Sequence, residues 1–105
     1  MTDKRLVLTT AGSNDEARRI ADALLERKLA ACVNIVPKVV SIYRWKGKVE
    51  EASEWLLWIK TTEAAFERVR DTIKELHSYE LPECLSMAIE DGSLEYLEWL
   101  EESVE

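Results

Sequence analysis

Apolar and polar residues along the chain follow two rhythms, and their order predicts seven elements. Leu6-Val7-Leu8-Thr9-Thr10 is a β-branched, strand-like run. It gives way to Ala11-Gly12-Ser13-Asn14-Asp15, where Ser13 or Asn14 is placed to cap a helix carrying Asp15 and Glu16 in its first turn. From Ala17 onward, Ile20, Ala21, Leu24, Leu25 and Leu29 repeat at helical spacing, while Arg18, Arg19, Asp22, Glu26 and Arg27 take the other side. The segment from Ala31 to Trp45 reads as strand, interrupted only by Pro37-Lys38. Such a segment would span ~50 Å and so overhang a small domain, and its proline belongs at a bulge or on an edge. Lys46-Gly47-Lys48 supplies a turn, and a second strand rises through Val49 to Trp55-Leu56-Leu57-Trp58-Ile59-Lys60, completing a long hairpin. Thr61 or Thr62 is expected to cap a second helix with Phe66, Val69, Ile73 and Leu76 on one face, ending near His77-Ser78. A last strand is expected from Leu81-Pro82 through Cys84, Leu85, Met87 and Ile89, and Asp91-Gly92-Ser93 opens a short helix bearing Leu94, Leu97 and Leu100.

Strand, helix, strand, strand, helix, strand, helix, joined by right-handed crossovers, is the α+β split βαβ or ferredoxin-like sandwich: βαββαβ plus a C-terminal helix. Two helices cover one face of its four-stranded antiparallel sheet. Consecutive apolar positions such as Trp55 to Ile59 imply burial on both faces, so a homo-oligomer that closes as a ring is expected to cover the other.

Composition bounds the function. The 105 residues are 47% hydrophobic and 33% charged, with only 3 Gly and 2 Pro, as expected for one folded domain, residues 1–105. With 14 Lys and Arg against 21 Asp and Glu the net charge is −7, which disfavours nucleic acid as a partner. The longest apolar stretch, Trp55 to Ile59, is far short of the ~20 residues a membrane helix needs. With no apolar signal core after Met-Thr-Asp-Lys-Arg, a cytoplasmic location is expected. Cys32 and Cys84 suit reduced thiols rather than a disulfide framework.

Chemistry concentrates in His77-Ser78-Tyr79-Glu80-Leu81-Pro82-Glu83-Cys84, which holds the single histidine, two carboxylates and a thiol. Imidazole, carboxylate and thiolate together suit copper or zinc, and His77, Cys32 and Glu83 are the candidate metal ligands. In an extended segment Glu83 and Cys84 point to opposite faces, so Cys32, another strand or another subunit has to complete a site. The structural alternative places His77 at a helix C-terminus and Cys84 in the core as a small apolar residue. Glu80 and Glu83, separated by Leu81-Pro82, are expected to diverge. Tyr43, Trp45, Trp55 and Trp58 crowd the hairpin, where sheet and interface packing is favoured over a binding platform. Glu50, Glu51 and Glu54 beside Lys46 and Lys48 read as a solvated hairpin tip, whereas Lys60 either reaches for water or pairs with a carboxylate such as Glu83. Cys32 and His77 lack a nucleophile elbow or oxyanion loop, and an acylphosphatase-like phosphate site finds only Arg5 and Asn34 loosely placed, so no enzyme activity is expected.

Several ordered segments resemble the CutA, or divalent-cation tolerance, family. These are Leu29-Ala30-Ala31-Cys32-Val33-Asn34, Ser41-Ile42-Tyr43-Arg44-Trp45-Lys46-Gly47, Glu54 with Ile59-Lys60-Thr61, His77 to Glu83, and Tyr96-Leu97-Glu98-Trp99-Leu100. The resemblance covers nearly the whole chain. It implies a ferredoxin-like fold, a tightly packed homotrimer and a role in tolerance to copper and other divalent metals, with no required cofactor. The interface cleft it suggests takes in Tyr43, Trp45, Lys60 and Tyr79 beside the three candidate ligands. This chain departs from the family by carrying Ser78 where His-Pro-Tyr is usual, and Thr9 and Leu76 at positions that look like those of a cysteine and a second histidine in copper-binding members. A trimeric regulator resembling the PII-type transducers and a purely structural trimeric anchor are the alternative readings.

Overall fold

In a computed structural model describing residues 2–105, the elements follow the predicted order: β1 (Lys4–Ala11), α1 (Asn14–Glu26), β2 (Cys32–Trp45), β3 (Lys48–Thr62), α2 (Phe66–Leu76), β4 (Leu85–Ala88) and α3 (Leu94–Ser103). The four strands form one antiparallel sheet in the order β2-β3-β1-β4. Alternation along β1 sends Val7, Thr9 and Ala11 into the core, and their partners Ile59 and Leu57 on β3 go with them. Against this face pack Ile20 and Leu24 of α1 and Val69 and Ile73 of α2, all fully buried.

Local chemistry sets the boundaries. Ser13, of the two possible caps, starts α1: its hydroxyl accepts the Glu16 backbone N–H at 3.1 Å. The second helix begins later than expected. Thr61 and Thr62 still belong to β3, where the Thr61 hydroxyl donates to the Leu29 carbonyl at 2.6 Å, and a turn separates them from the N-cap at Ala65. Thr62 keeps part of the predicted role by accepting the Ala65 N–H at 3.3 Å. The last strand is shorter than expected, because residues 77–84 form a loop ahead of β4; Ile89 extends its pairing with a 3.0 Å bond to the Lys4 carbonyl.

β2 is an edge strand with a bulge at its proline, as anticipated: the register shifts between Val36 and Val39, and Lys38 takes φ +56. This shift exchanges faces. Val33 and Ile35, before it, lie opposite the core residues Ile59 and Leu57, whereas Val39, Ser41 and Tyr43, beyond it, lie opposite Glu54, Ala52 and Glu50 on the other face. At the hairpin tip Lys46 and Gly47 have φ +50 and +79 between the paired Trp45 and Lys48, the type I′ geometry that matches strand twist. Since β1 follows β3 only as far as Trp55, the outer hairpin projects beyond the four-stranded body and the molecule extends to 44 Å in one direction.

The face opposite α1 and α2 is only partly covered. α3 meets it at one end, where Lys4 pairs with Glu101 and the Lys60 ammonium stands 5.9 Å from the centre of the Tyr96 ring. Beyond that contact, Trp58, Leu85 and Met87 are 41%, 57% and 43% exposed on one continuous row-and-column patch of the sheet. No helix among the described residues is long and apolar enough to cross a membrane.

Candidate functional site

The 77–84 loop leaves α2 and crosses the end of β1 and the start of α1. His77 is the C-cap of α2, with a buried ring engaged at both nitrogens. Nε2 lies 2.6 Å from the Thr10 carbonyl, which can only accept, so Nε2 carries the proton. Nδ1 accepts the Tyr79 backbone N–H at 3.1 Å and stands 3.1 Å from Glu16 Oε1, where a charged ring would have a counter-ion. Glu16 Oε1 also accepts the Ser78 backbone N–H at 2.9 Å, and Oε2 the Ser78 hydroxyl at 2.8 Å. Burial works to raise the Glu16 carboxyl, but these Ser78 bonds and the neighbouring imidazole outweigh it and hold it below its ordinary value. Ser13-x-x-Glu16 has the form of a capping box, yet its glutamate is given over to anchoring the loop. Ser78 thus ties the loop to the first turn of α1.

Tyr79 continues the loop over Gly12. A Cβ on that glycine would stand 3.1 Å from the Tyr79 hydroxyl, so a side chain there would shift the ring by a few tenths of an ångström. The hydroxyl donates to Glu54 Oε2 at 2.6 Å, and burial followed by the Glu54 carboxylate pushes the phenol well above its ordinary value. Beside them a cleft of about 670 Å³ opens between the hairpin and the loop, lined by Tyr43, Trp45, Glu54, Tyr79, Glu80 and Glu83 among others. The β2 bulge is the reason Tyr43 and Trp45 face Glu54: without the extra residue they would share the side of Val33 and Ile35.

The structure divides the predicted site. Tyr43, Trp45, Tyr79 and Glu83 share this cleft, and Glu83 and Cys84 part as expected, although within a loop rather than a strand, Cys84 packing against the core. Burial pushes the Cys84 thiol up, as suits a packing role. Lys60 and Cys32 lie elsewhere. They face each other across β2 and β3 in the row of Leu6, four residues from the Thr10 row that holds His77, which is ~13 Å along the strand. Lys60 therefore pairs with no carboxylate of the cleft; it meets Tyr96 instead. Among the described residues no three His, Cys, Asp or Glu side chains group around a common metal position.

Two expectations about carboxylates need correction. Glu54 does not belong to a solvated tip: it is 6% exposed, beneath Tyr79. Glu80 and Glu83 do not diverge into separate surroundings, because the segment is a loop rather than a strand and both line the same cleft. The one sequence signal for Glu54 lay in alternation, which puts it in step with Leu56 and Trp58, away from the helices, rather than in the charged turn.

Fold and site together define a ferredoxin-like α+β domain, with an overhanging hairpin and an acidic, aromatic cleft at its root. A family model described as CutA1 divalent ion tolerance protein matches residues 5–103. The divalent-cation tolerance protein CutA of Thermus thermophilus is 50% identical over 100 residues, 95% of this chain and 97% of that one. Its solved structure superimposes with a TM-score of 0.95, covering 97% of this chain and 99% of that one. A structure described as the periplasmic divalent cation tolerance protein CutA from Archaeoglobus fulgidus matches at 46% identity and a TM-score of 0.94, with 97% and 99% covered. The chain belongs to the CutA1 divalent ion tolerance family.

Proposed function

We propose that this protein acts as a homotrimer in tolerance to divalent metal ions, contacting metal between subunits rather than within one, and catalyses no reaction. The observation that carries the assembly is the bare patch of Trp58, Leu85 and Met87 beside a hairpin that overhangs its own domain. An apolar patch flanking the free edge of β4 is a surface that association removes from water, and the hairpin supplies strand edges for a neighbour. The separation of Cys32 from His77 supports the second half: one protomer does not gather His77, Cys32 and Glu83. Of the three, Glu83 is open to the cleft, whereas a metal on His77 has to displace Thr10 or Tyr79 from the ring. Copper and zinc are the ions this donor set suits. With two free cysteines the chain fits the reducing cytoplasm, although one relative's description is periplasmic.

Native mass spectrometry of metal-stripped protein titrated with copper and then zinc tests both halves. The expected series shows a trimer taking one ion per subunit or one per trimer, with uptake reduced in Cys32→Ser and Glu83→Gln. A monomer refutes the assembly, and a trimer that stays bare at micromolar metal refutes direct binding. The cleft favours one alternative, a small-ligand regulator of the PII kind, but its acidic lining selects against the anions such a regulator would be expected to take.

A further inference from the structure

We propose that the 77–84 loop is a latch over a metal-ready pair, His77 Nδ1 and Glu16, with the bonds from Ser78 to Glu16 as its catch, so that a divalent ion reaches His77 only when the loop is released. The inference rests on the metal reading above and deepens it by naming what controls access to one of the ligands. The His77 side chain is 0% exposed within one protomer, so its surroundings are set by this chain and not by a neighbour. Its ring is already oriented as a ligand. Nε2 gives its proton to the Thr10 carbonyl at 2.6 Å, the kind of outer contact that fixes tautomer and orientation in metal-bound histidines, and this leaves the lone pair on Nδ1. Glu16 Oε1 stands 3.1 Å from that nitrogen. Two donors each about 2.0–2.2 Å from one ion lie about 3 Å apart, so the pair is spaced as neighbouring ligands, and imidazole with carboxylate suits zinc.

What stands in the way is the loop itself. The Tyr79 N–H donates to Nδ1 at 3.1 Å and takes the lone pair a metal needs, and the Tyr79 ring lies against the imidazole with centroids 4.5 Å apart. Ser78 commits Glu16 in the same way. Its N–H and hydroxyl stand 2.9 and 3.1 Å from Oε1, and the hydroxyl lies 2.8 Å from Oε2. Both donors of the pair are thus satisfied by consecutive residues of one loop, and an ion has to break bonds to Ser78 and Tyr79 before it gains either. Hydrogen bonds to a charged group are the stronger ones, so the grip of Ser78 on Glu16 is the catch, and the single bond from Tyr79 to the ring follows it. A second hold lies further along, where the Tyr79 hydroxyl donates to Glu54 at 2.6 Å. One protomer supplies two donors here, and among the described residues no third His, Cys, Asp or Glu joins them, so water or a neighbouring subunit has to complete the shell.

The chain has a single histidine, so NMR with isotope-labelled histidine reads one ring. The test is a zinc titration of the metal-stripped, full-length protein and of its Ser78→Ala variant, following the His77 ring nitrogens and, in parallel, hydrogen exchange at the Tyr79 amide. The Nδ1 resonance is expected to move at a zinc concentration at least ten-fold lower in Ser78→Ala than in the unsubstituted protein. The Tyr79 amide, protected without metal, is expected to exchange faster in the zinc-bound form. Adding Glu16→Gln to Ser78→Ala is expected to weaken zinc binding several-fold, because the second donor loses its charge. Each variant has to keep the wild-type circular dichroism and assembly mass; if Ser78→Ala does not, Tyr79→Phe, which frees the other hold on the loop, replaces it with the same expected direction. Equal zinc affinity at the ring with and without the Ser78 hydroxyl overturns the proposal, as does zinc on Nδ1 with the Tyr79 amide still protected. A ring unmoved by millimolar zinc in both Ser78→Ala and Tyr79→Phe overturns it in favour of a purely structural histidine. Zinc taken up elsewhere leaves the ring resonances in place, so a failure of metal uptake between subunits, seen by native mass spectrometry, and a failure of the latch, seen at His77, are separate results.

Discussion

Glu16→Gln probes the tether that sets the loop over the cleft. Glu16 accepts the Ser78 backbone N–H at 2.9 Å and the Ser78 hydroxyl at 2.8 Å from a position 7% exposed. Hydrogen bonds to a charged group contribute ~1.5–3 kcal/mol where neutral ones contribute ~1. Glutamine keeps one carbonyl acceptor, so the backbone N–H stays satisfied while the charge on both bonds is lost; the expected cost near neutral pH is about 1–2 kcal/mol. The pH dependence is the sharper part. Because the folded carboxyl is held below its ordinary value of 4.5, its contribution is fully present above that value and is lost as pH falls through the lowered folded value. Glutamine carries no such dependence. Urea unfolding followed by circular dichroism, at one fixed protomer concentration, should therefore show a gap between wild type and variant that is full near neutrality and narrows as pH falls below 4.5. A gap of constant size across that range, or none at neutrality, would refute the assignment of Glu16 as a charged anchor.

Three further perturbations address other parts of the molecule. Thr9→Val removes a fully buried hydroxyl that has no hydrogen-bond partner among the described residues and should raise stability by up to ~1 kcal/mol, a lower melting temperature being the contrary result. Leu24→Ala empties a fully buried position between α1 and the sheet and should cost ~2–5 kcal/mol by denaturant unfolding; a cost below ~1 would mean the helix is not seated there. Met87→Glu puts a charge on the bare sheet face, and light scattering should find a monomer in place of the trimer proposed above; a mass equal to that of the unsubstituted protein would remove this face from the proposed interface.

Periodicity carried most of the fold. The apolar spacing from Ala17 to Leu29 and the β-branched runs of β1, β2 and β3 leave little choice of element type, and a ferredoxin-like order follows from crossover handedness. What periodicity does not contain is tertiary competition at the ends. Thr61 looked like a cap because threonine favours that position, but its hydroxyl has a better partner in the Leu29 carbonyl across the sheet, and the helix waits for Ala65. Residues 81–84 looked extended because of Leu81, Pro82 and Cys84, yet they belong to the loop that His77 and Ser78 tie to Thr10 and Glu16, and the ladder with β1 begins only at Leu85 opposite Leu8.

The site was less legible for a reason that lies in the bulge at Pro37-Lys38. A proline in a long strand announces irregularity, but alternation by itself does not say that one extra residue will move Ser41, Tyr43 and Trp45 to the face opposite that of Val33 and Ile35. Once they are moved, Glu54 acquires aromatic neighbours, and the loop that passes over Gly12 closes Tyr79 over it. The three proposed metal ligands separate for another reason: Cys32 lies opposite Lys60 in the row of Leu6, whereas His77 meets the Thr10 carbonyl four residues further along β1 and Glu83 lines the cleft. Carboxylate and aromatic groups therefore stand together in one cleft, whereas the Cys32 thiol lies in a different row of the sheet, on the near side of the bulge.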